Sequence, residues 1–385
     1  MAKLVSIYQY LDTRFGSSTY RTGAAYFLLS RVIGASFRLY LVAIVFDAFV
    51  TGPMGVPFWL TVLLTILLIW VYTFRGGIKT IVWTDTLQTL CMLVAVVLTI
   101  VFIGQEMQLG LGGLISKVQS SDYAQIFFFD NGWSDKQNFF KQFISGMFIA
   151  IVMTGLDQDM MQKNLSCKNL KDAQKNMFWF TIVLVIVNFF FLALGVLLTD
   201  YAQQNGIDAH KDQLFPIIAT KGTLGLATAM FFLLGLIAAA YSSADSALTS
   251  LTTSFSIDIL EIDKKKSIQN QENIRKKIHV LFSGILIAVI LIFKYFIADE
   301  SVIAKIFTFA GYTYGPLLGL YTFGLFTKLT IKDKAVPFIC IIAPVLTFTT
   351  NYLTIEFFEF DFEFFVLVLN GFYTFLGLFL FKKKC

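Results

Sequence analysis

Apolar residues run through this chain in long, nearly unbroken blocks separated by short polar segments. The blocks fall at 22–50, 57–74, 79–103, 138–160, 176–199, 223–258, 275–297, 302–327, 335–353 and 362–381. They lack the apolar–polar alternation of a half-buried strand. They are close to, or above, the roughly 20 residues an α-helix needs to cross a bilayer core. Hydrocarbon offers the backbone no water partners, so each block must bond its own N–H and C=O groups, as a helix does. The pattern predicts an all-α, polytopic membrane protein with ten spanning helices, the block at 223–258 tilting or reaching beyond the bilayer. Residues 1–385 read as a single transmembrane domain.

Composition agrees. Apolar residues make up 57% of the chain and charged ones 14%, against about 25% charged in soluble domains; the mean hydropathy is +0.72. A soluble enzyme, a nucleic-acid-binding domain and a disordered linker are all excluded. Of the 30 Lys and Arg, 21 fall in alternate loops if the N-terminal segment is placed in the cytoplasm. That asymmetry is the positive-inside signature. It predicts both termini in the cytoplasm of a cell (inner) membrane, with 1–21 as a cytoplasmic lead-in. The longest polar stretch, 104–137, then lies outside, and its Gly and Phe content suits short interfacial helices acting as a cover. Cys91, Cys167, Cys340 and Cys385 show no paired spacing, so neither a disulfide framework nor a zinc motif is indicated. With only His210 and His279, both beside polar loop residues, a His-rich metal site is excluded. Nor do two loop histidines and scattered carboxylates make a nucleophile–base or two-metal constellation, so the chain is not expected to be an enzyme.

Ionisable groups inside the apolar blocks cost a few kcal/mol or more and mark cavities or ion paths. Arg38, Asp47, Asp85 and Asp245 are the candidates. In the run Ala239-Ala240-Tyr241-Ser242-Ser243-Ala244-Asp245-Ser246, helical spacing puts Ala239, Ser242, Ser243 and Ser246 on one face. Oxygens on one stripe beside a carboxylate suit a hard cation; the bland reading is hydroxyls bonding their own i−4 carbonyls. Asp85, six residues past Lys79, lies roughly 9 Å beyond the inner boundary at 1.5 Å per residue. It is either a carboxylate snorkelling to water or a cation ligand on the inward path. Arg38 sits deep enough to need an anion, from another helix or from a solute carboxylate. Arg31, two turns earlier, reads as structural. For Thr154-Gly155-Leu156-Asp157-Gln158, with Met160-Met161-Gln162-Lys163 after it, the default is a helix end with solvated charges.

Several segments, in order and over nearly the whole chain, resemble the sodium:solute symporter family. They are Tyr10-Leu11-Asp12-Thr13-Arg14-Phe15-Gly16, Gly76-Gly77-Ile78-Lys79 with Trp83-Thr84-Asp85-Thr86-Leu87-Gln88, and Gly155-Leu156-Asp157-Gln158 with Gln162-Lys163. The Ser242–Ser246 run and Gly315-Pro316-Leu317-Leu318-Gly319 complete the set. The resemblance implies a LeuT-like inverted-repeat fold with sites at mid-membrane, and sodium-coupled import of a small organic solute by alternating access. It also implies that Ala239, through its carbonyl, Ser242 and Ser243 form half of the principal sodium site. Asp85, Ser242, Asp245 and Ser246 match a second sodium site found in part of the family, although Asp245 replaces the hydroxyl residue expected there. Arg38 is similar to the arginine that holds the substrate carboxylate in the sialic acid branch. Ala150 and Met153 stand where the sugar branch has an amide and an aromatic ring, which argues against a galactose-like pocket and leans toward a sialic acid, sugar acid or monocarboxylate. Relatives carry helices ahead of Tyr10-Leu11, so the first core helices are expected to be missing. The expected partners are sodium, the solute, the bilayer and a separately encoded N-terminal fragment, and the chain alone is expected not to transport. The alternatives are a membrane sensor module, disfavoured because no kinase domain follows Lys382-Lys383-Lys384-Cys385, a non-transporting fragment of a symporter, and a passive channel.

Overall fold

The structure is a computed structural model that describes residues 6–73, 78–130, 132–165, 167–208, 211–220, 225–262, 268–296 and 302–383. Lys3, Arg75, Gly76, Gly77, His210, Lys221, Lys264, Lys265, Lys266, Lys384 and Cys385 lie outside them. Among the described residues, helix forms in all ten apolar blocks. They form α2 (Ser17–Phe46), α3 (Phe58–Thr73), α4 (Ile78–Glu106), α6 (Phe139–Gly155), α8 (Leu170–Gln204), α10 (Gly225–Ser254), α11 (Ile268–Phe296), α12 (Val302–Phe326), α13 (Val336–Phe358) and α14 (Val366–Leu380). Seven are long and apolar enough to cross a membrane by length and composition. Helices α3 and α6 are shorter apolar helices, and α12 has 25 residues. Short helices α1 (Gln9–Arg14), α5 (Leu111–Ser120), α7 (Gln158–Leu165) and α9 (Leu214–Thr220) lie in the connections. Among the described residues no strand forms; one isolated bridge joins Ile331 to Lys382. The chain is a multi-pass membrane protein.

Helix α2 is the axis of the assembly, packing on α3, α10, α11, α12 and α13. One apolar cluster joins α2 to α11 and α10, with Phe37 stacked on Phe293 at 4.1 Å. A second joins α1 and α2 to α12, α13 and α14 through Tyr8, Leu11, Phe27, Leu317 and Phe323. Side chains secure the ends of these helices. Asp333 accepts from the first N–H groups of α2, those of Ser18 (3.0 Å) and Thr19 (2.8 Å), and from the Thr19 hydroxyl (2.6 Å). This satisfies donors that a helix start leaves orphaned. Gly16 permits the approach: its φ is +134°, and a Cβ there would sit 2.7 Å from the Asp333 carboxylate. At the other end of the contact, the Arg14 guanidinium donates to the carbonyls of Gly324, Thr327 and Leu329 at the end of α12.

The Gly315-Pro316-Leu317-Leu318-Gly319 motif has a packing reason. Pro316 lies inside α12 and has no N–H, so the Tyr312 carbonyl four residues earlier loses its helical donor. Asn370 of α14, fully buried, supplies the replacement: its amide donates to Tyr312 (2.9 Å) and Gly311 (3.2 Å). Gly315 and Gly319 let α14 come this close, since a Cβ at either would lie about 2.5 Å or less from Asn370 or Thr374 atoms.

Candidate functional site

Two polar regions lie within the membrane part of the fold. The first is the stripe on α10. Helices α4 and α10 pack extensively. Gly235 lies at this contact, where a Cβ would meet the Met92 backbone at 3.3 Å. Seven residues from this point, about two turns or 10 Å, stand Ser242 on α10 and Asp85 on α4. Ser242 thus returns to the face of α10 that Gly235 turns toward α4. The Asp85 side chain is outside the described residues.

Ala239, Ser242 and Ser243 are half-buried; Asp245 and Ser246 are buried. Asp245 Oδ1 accepts from Thr249 Oγ1 at 3.4 Å. Ser246 Oγ is buried without a hydrogen-bond partner, and eleven residues from Gly235 its position returns to the face toward α4. Such a hydroxyl costs free energy unless a ligand engages it. Among the described residues no cluster of three His, Cys, Asp or Glu could hold a metal ion, and a site here would rest on hydroxyl and carbonyl oxygens with single carboxylates. That donor set suits a weakly bound alkali cation over zinc or iron.

The second region lies between α2, α6 and α12. Ser30, Arg31, Arg38, Met153, Thr313 and Tyr314 line a cavity of about 20 Å³, room for about one water. Arg38 and Met153 thus share one cavity, whereas Ala150, one turn from Met153, is exposed and not part of its wall. Asp47 starts a π-helical turn (Asp47–Thr51) that extends α2.

The expectation of a solvated helix end at Gly155–Gln158 is wrong. The helix breaks at Leu156, yet Asp157 is 3% exposed and Gln158 fully buried. Asp157 Oδ2 lies 3.5 Å from the buried Arg31 guanidinium and accepts from Tyr314 Oη at 2.9 Å. Gln158 Oε1 accepts from the Ile7 N–H (3.0 Å), and Tyr8 Oη donates to the Leu156 carbonyl freed by the break (2.8 Å). The interruption lies against the N-terminal segment and α12, so its polar groups bond protein instead of water. Arg31 thus faces an anion within the protein.

Asp258 was not singled out in the sequence. It is fully buried on the π-turn that follows α10 (Phe255–Ile259) and accepts from Ser6 Oγ (3.0 Å), Tyr20 Oη (2.7 Å) and Ser254 Oγ (2.6 Å). The only signal was Ser254 one helical turn before it.

The family model described as the sodium:solute symporter family matches residues 2–335. The sodium/sialic acid symporter SiaT of Proteus mirabilis is 27% identical over 346 residues, covering 87% of this chain and 67% of its own length. A sodium/sialic acid symporter of Aliivibrio fischeri is also 27% identical, with 86% and 66% covered. The rabbit (Oryctolagus cuniculus) sodium-dependent multivitamin transporter is 24% identical, with 84% and 51% covered. This chain thus spans about two thirds of the length of the bacterial relatives and about half of the animal one. A solved Na⁺-coupled sialic acid symporter in a substrate-bound, outward-open state superposes with a TM-score of 0.80 at 21% identity, covering 99% of this chain and 78% of that one. The fold is the LeuT-like helical fold that the motifs imply. With the family model covering most of its length, this chain belongs to the sodium:solute symporter family.

Proposed function

We propose that this chain is part of the transport domain of a sodium-coupled symporter that imports a small organic solute, and that the solute carries a carboxylate, as sialic acid does. The observation that carries the reading is the oxygen stripe on α10, with its buried, unpartnered Ser246 hydroxyl, on the helix that packs against α4. In this reading Ala239, Ser242 and Ser243 contribute to one sodium site. Asp85, Ser242, Asp245 and Ser246 contribute to a second, where Asp245 adds negative charge. Sodium is cargo: each charge moved inward is worth about 2.3 kcal/mol per 100 mV. Its binding drives transport only through unequal affinity for the outward- and inward-facing states. The Arg38 guanidinium, beside Met153, receives the carboxylate once the cavity widens, and Ala150 borders that path. The excess of basic residues on one set of loops supports a cell inner membrane with both termini in the cytoplasm. Sialic acid is favoured because the two bacterial sialic acid symporters match along most of this chain.

The test is thermal melting of the purified chain in sodium chloride and in choline chloride at equal ionic strength. Saturating sodium at about 100 times its Kd contributes roughly 2.7 kcal/mol of stability. Ser242→Ala is expected to shrink the sodium increment. Ser246→Ala is expected to do the same while leaving the choline melting point unchanged or higher, because its hydroxyl has no protein partner to lose. Equal sodium increments in all three proteins would remove the reading. Added sialic acid is expected to raise the melting point further, and Arg38→Gln to abolish that second step.

A further inference from the structure

At the end of the fold assigned to the cytoplasm, three distant stretches of chain converge. Lys332 N–H donates to the Phe381 carbonyl (3.1 Å) and Lys383 N–H to that of Thr330 (2.9 Å), so the loop after α12 is tied to the end of α14. Arg14 binds the carbonyls of Thr327 and Leu329, and Asp333 holds the start of α2, fixing both to the same loop. Lys328, Lys332, Lys334, Lys382 and Lys383 therefore share one surface, all exposed, with Arg21 nearby. Among the described residues, two neighbouring acids are engaged: Asp333 caps α2, and Glu261 pairs with Arg21 at 3.0 Å. Asp12 on α1 is exposed.

A groove of about 460 Å³ opens beside this surface, between α2 and α13. Its upper wall is Ser17, Ser18 and Arg21; deeper, it is Ala25, Tyr26, Pro337 and Ile341. Polar groups stand at the aqueous end and apolar ones toward the membrane, with Ala25 and Ile341 exposed on the groove wall. That gradient matches one amphiphile: a phosphate-bearing head at the mouth and an acyl chain along the helices. A small soluble anion would use the cations and leave the apolar slot empty.

We propose that this groove binds an anionic phospholipid, its phosphate held by Lys332, Lys334 and the hydroxyls of Ser17 and Ser18, and its acyl chain laid against Ala25 and Ile341. The ion-coupling stripe takes no part, so the site stands or falls apart from the transport reading.

The purified full chain, exposed to mixed phosphatidylglycerol and phosphatidylcholine and examined by native mass spectrometry in sodium-free buffer, tests the proposal. At least one phosphatidylglycerol is expected to be retained in preference to phosphatidylcholine. Basic residues at a membrane surface each change anionic-lipid affinity roughly fivefold, so Lys332→Gln with Lys334→Gln is expected to weaken retention about 25-fold. Ala25→Phe, which fills the slot and keeps every charge, is expected to reduce it as well. Equal retention of the two lipids overturns the proposal, as does full retention in either variant. Retention unaffected by Ala25→Phe but displaced by inorganic phosphate overturns it too, since the patch would then be a general anion surface.

Discussion

Replacing Asn370 by Leu keeps its branched shape and removes its amide. Two carbonyls are affected unequally. Gly311 has a helical donor of its own at Gly315, whereas Tyr312 lacks one because residue 316 is proline. The variant therefore leaves one buried carbonyl unsatisfied, at about 1–3 kcal/mol. Against that, Asn370 Oδ1 is itself buried without a partner, and its removal returns part of the cost. Measured hydrogen bonds within membrane bundles average about 0.6 kcal/mol, so the net loss is expected near 1–2 kcal/mol. Unfolding in mixed micelles with rising SDS reads this as a shifted midpoint. The stronger check is a double-mutant cycle with Pro316→Ala. Alanine restores the N–H that Tyr312 lacks, so the Leu substitution is expected to cost about 1 kcal/mol less in that background. An equal cost in both backgrounds would refute the idea that Asn370 stands in for the missing helical donor.

Asp157→Asn keeps an acceptor for Tyr314 but removes the charge beside Arg31; breaking a buried pair costs about 3–5 kcal/mol, while Tyr314→Phe is expected to cost about 1. Denaturant midpoints separate the two, and similar values would remove the ion pair's role. Asp85→Asn is expected to raise the sodium concentration for half-maximal stabilisation with little change in sodium-free melting; an unchanged sodium titration counts against its place on the ion path. The segment before α6 is fastened by Lys136, whose Nζ lies 3.2 Å from Glu363 and 3.4 Å from Asp361. Bonding to Glu363 and its charge raise the Lys136 pKa. Burial pushes Asp361 up, but the Glu363 N–H, Asn351 and Lys136 outweigh it, and its pKa ends below the usual carboxylate value. A depressed carboxylate gives up its contribution as pH falls below the ordinary carboxylate range, and a raised lysine as pH rises past the ordinary lysine range. Protease cleavage within 126–138 is therefore expected to be slow between those limits and to quicken beyond either, and Lys136→Met to quicken it at neutral pH; a flat profile would contradict this.

Ten long apolar blocks dictate ten helices because lipid leaves the backbone no alternative, and the structure follows them from α2 to α14. Helical spacing alone puts the hydroxyls of Ser242, Ser243 and Ser246 on the face that holds Ala239, whatever the neighbours are. Arg31, Asp157 and Tyr314 were harder, since their meeting depends on how α2, α6 and α12 cross, and nothing local to Asp157 distinguishes a buried break from a helix end. Asp258 was lost the same way, because Ser6 and Tyr20, which donate to it, come from the far end of the chain. The pairing of Arg38 with Met153 but not Ala150 also required the crossing, one turn of helix deciding between cavity wall and exposed face.

One rod, α2, spans about 45 Å at 30 residues, and its attachments are spread along it. Asp333 grips its foot, Tyr20 reaches Asp258 just above, and Arg31 joins Asp157 further on, with Arg38 two turns beyond. A stiff lever pinned at several heights cannot swing at one end alone. Widening the space around Arg38 by tilting α2 would load the clasp at Asp258 across the bilayer, so the two ends of this helix are mechanically obliged to answer each other.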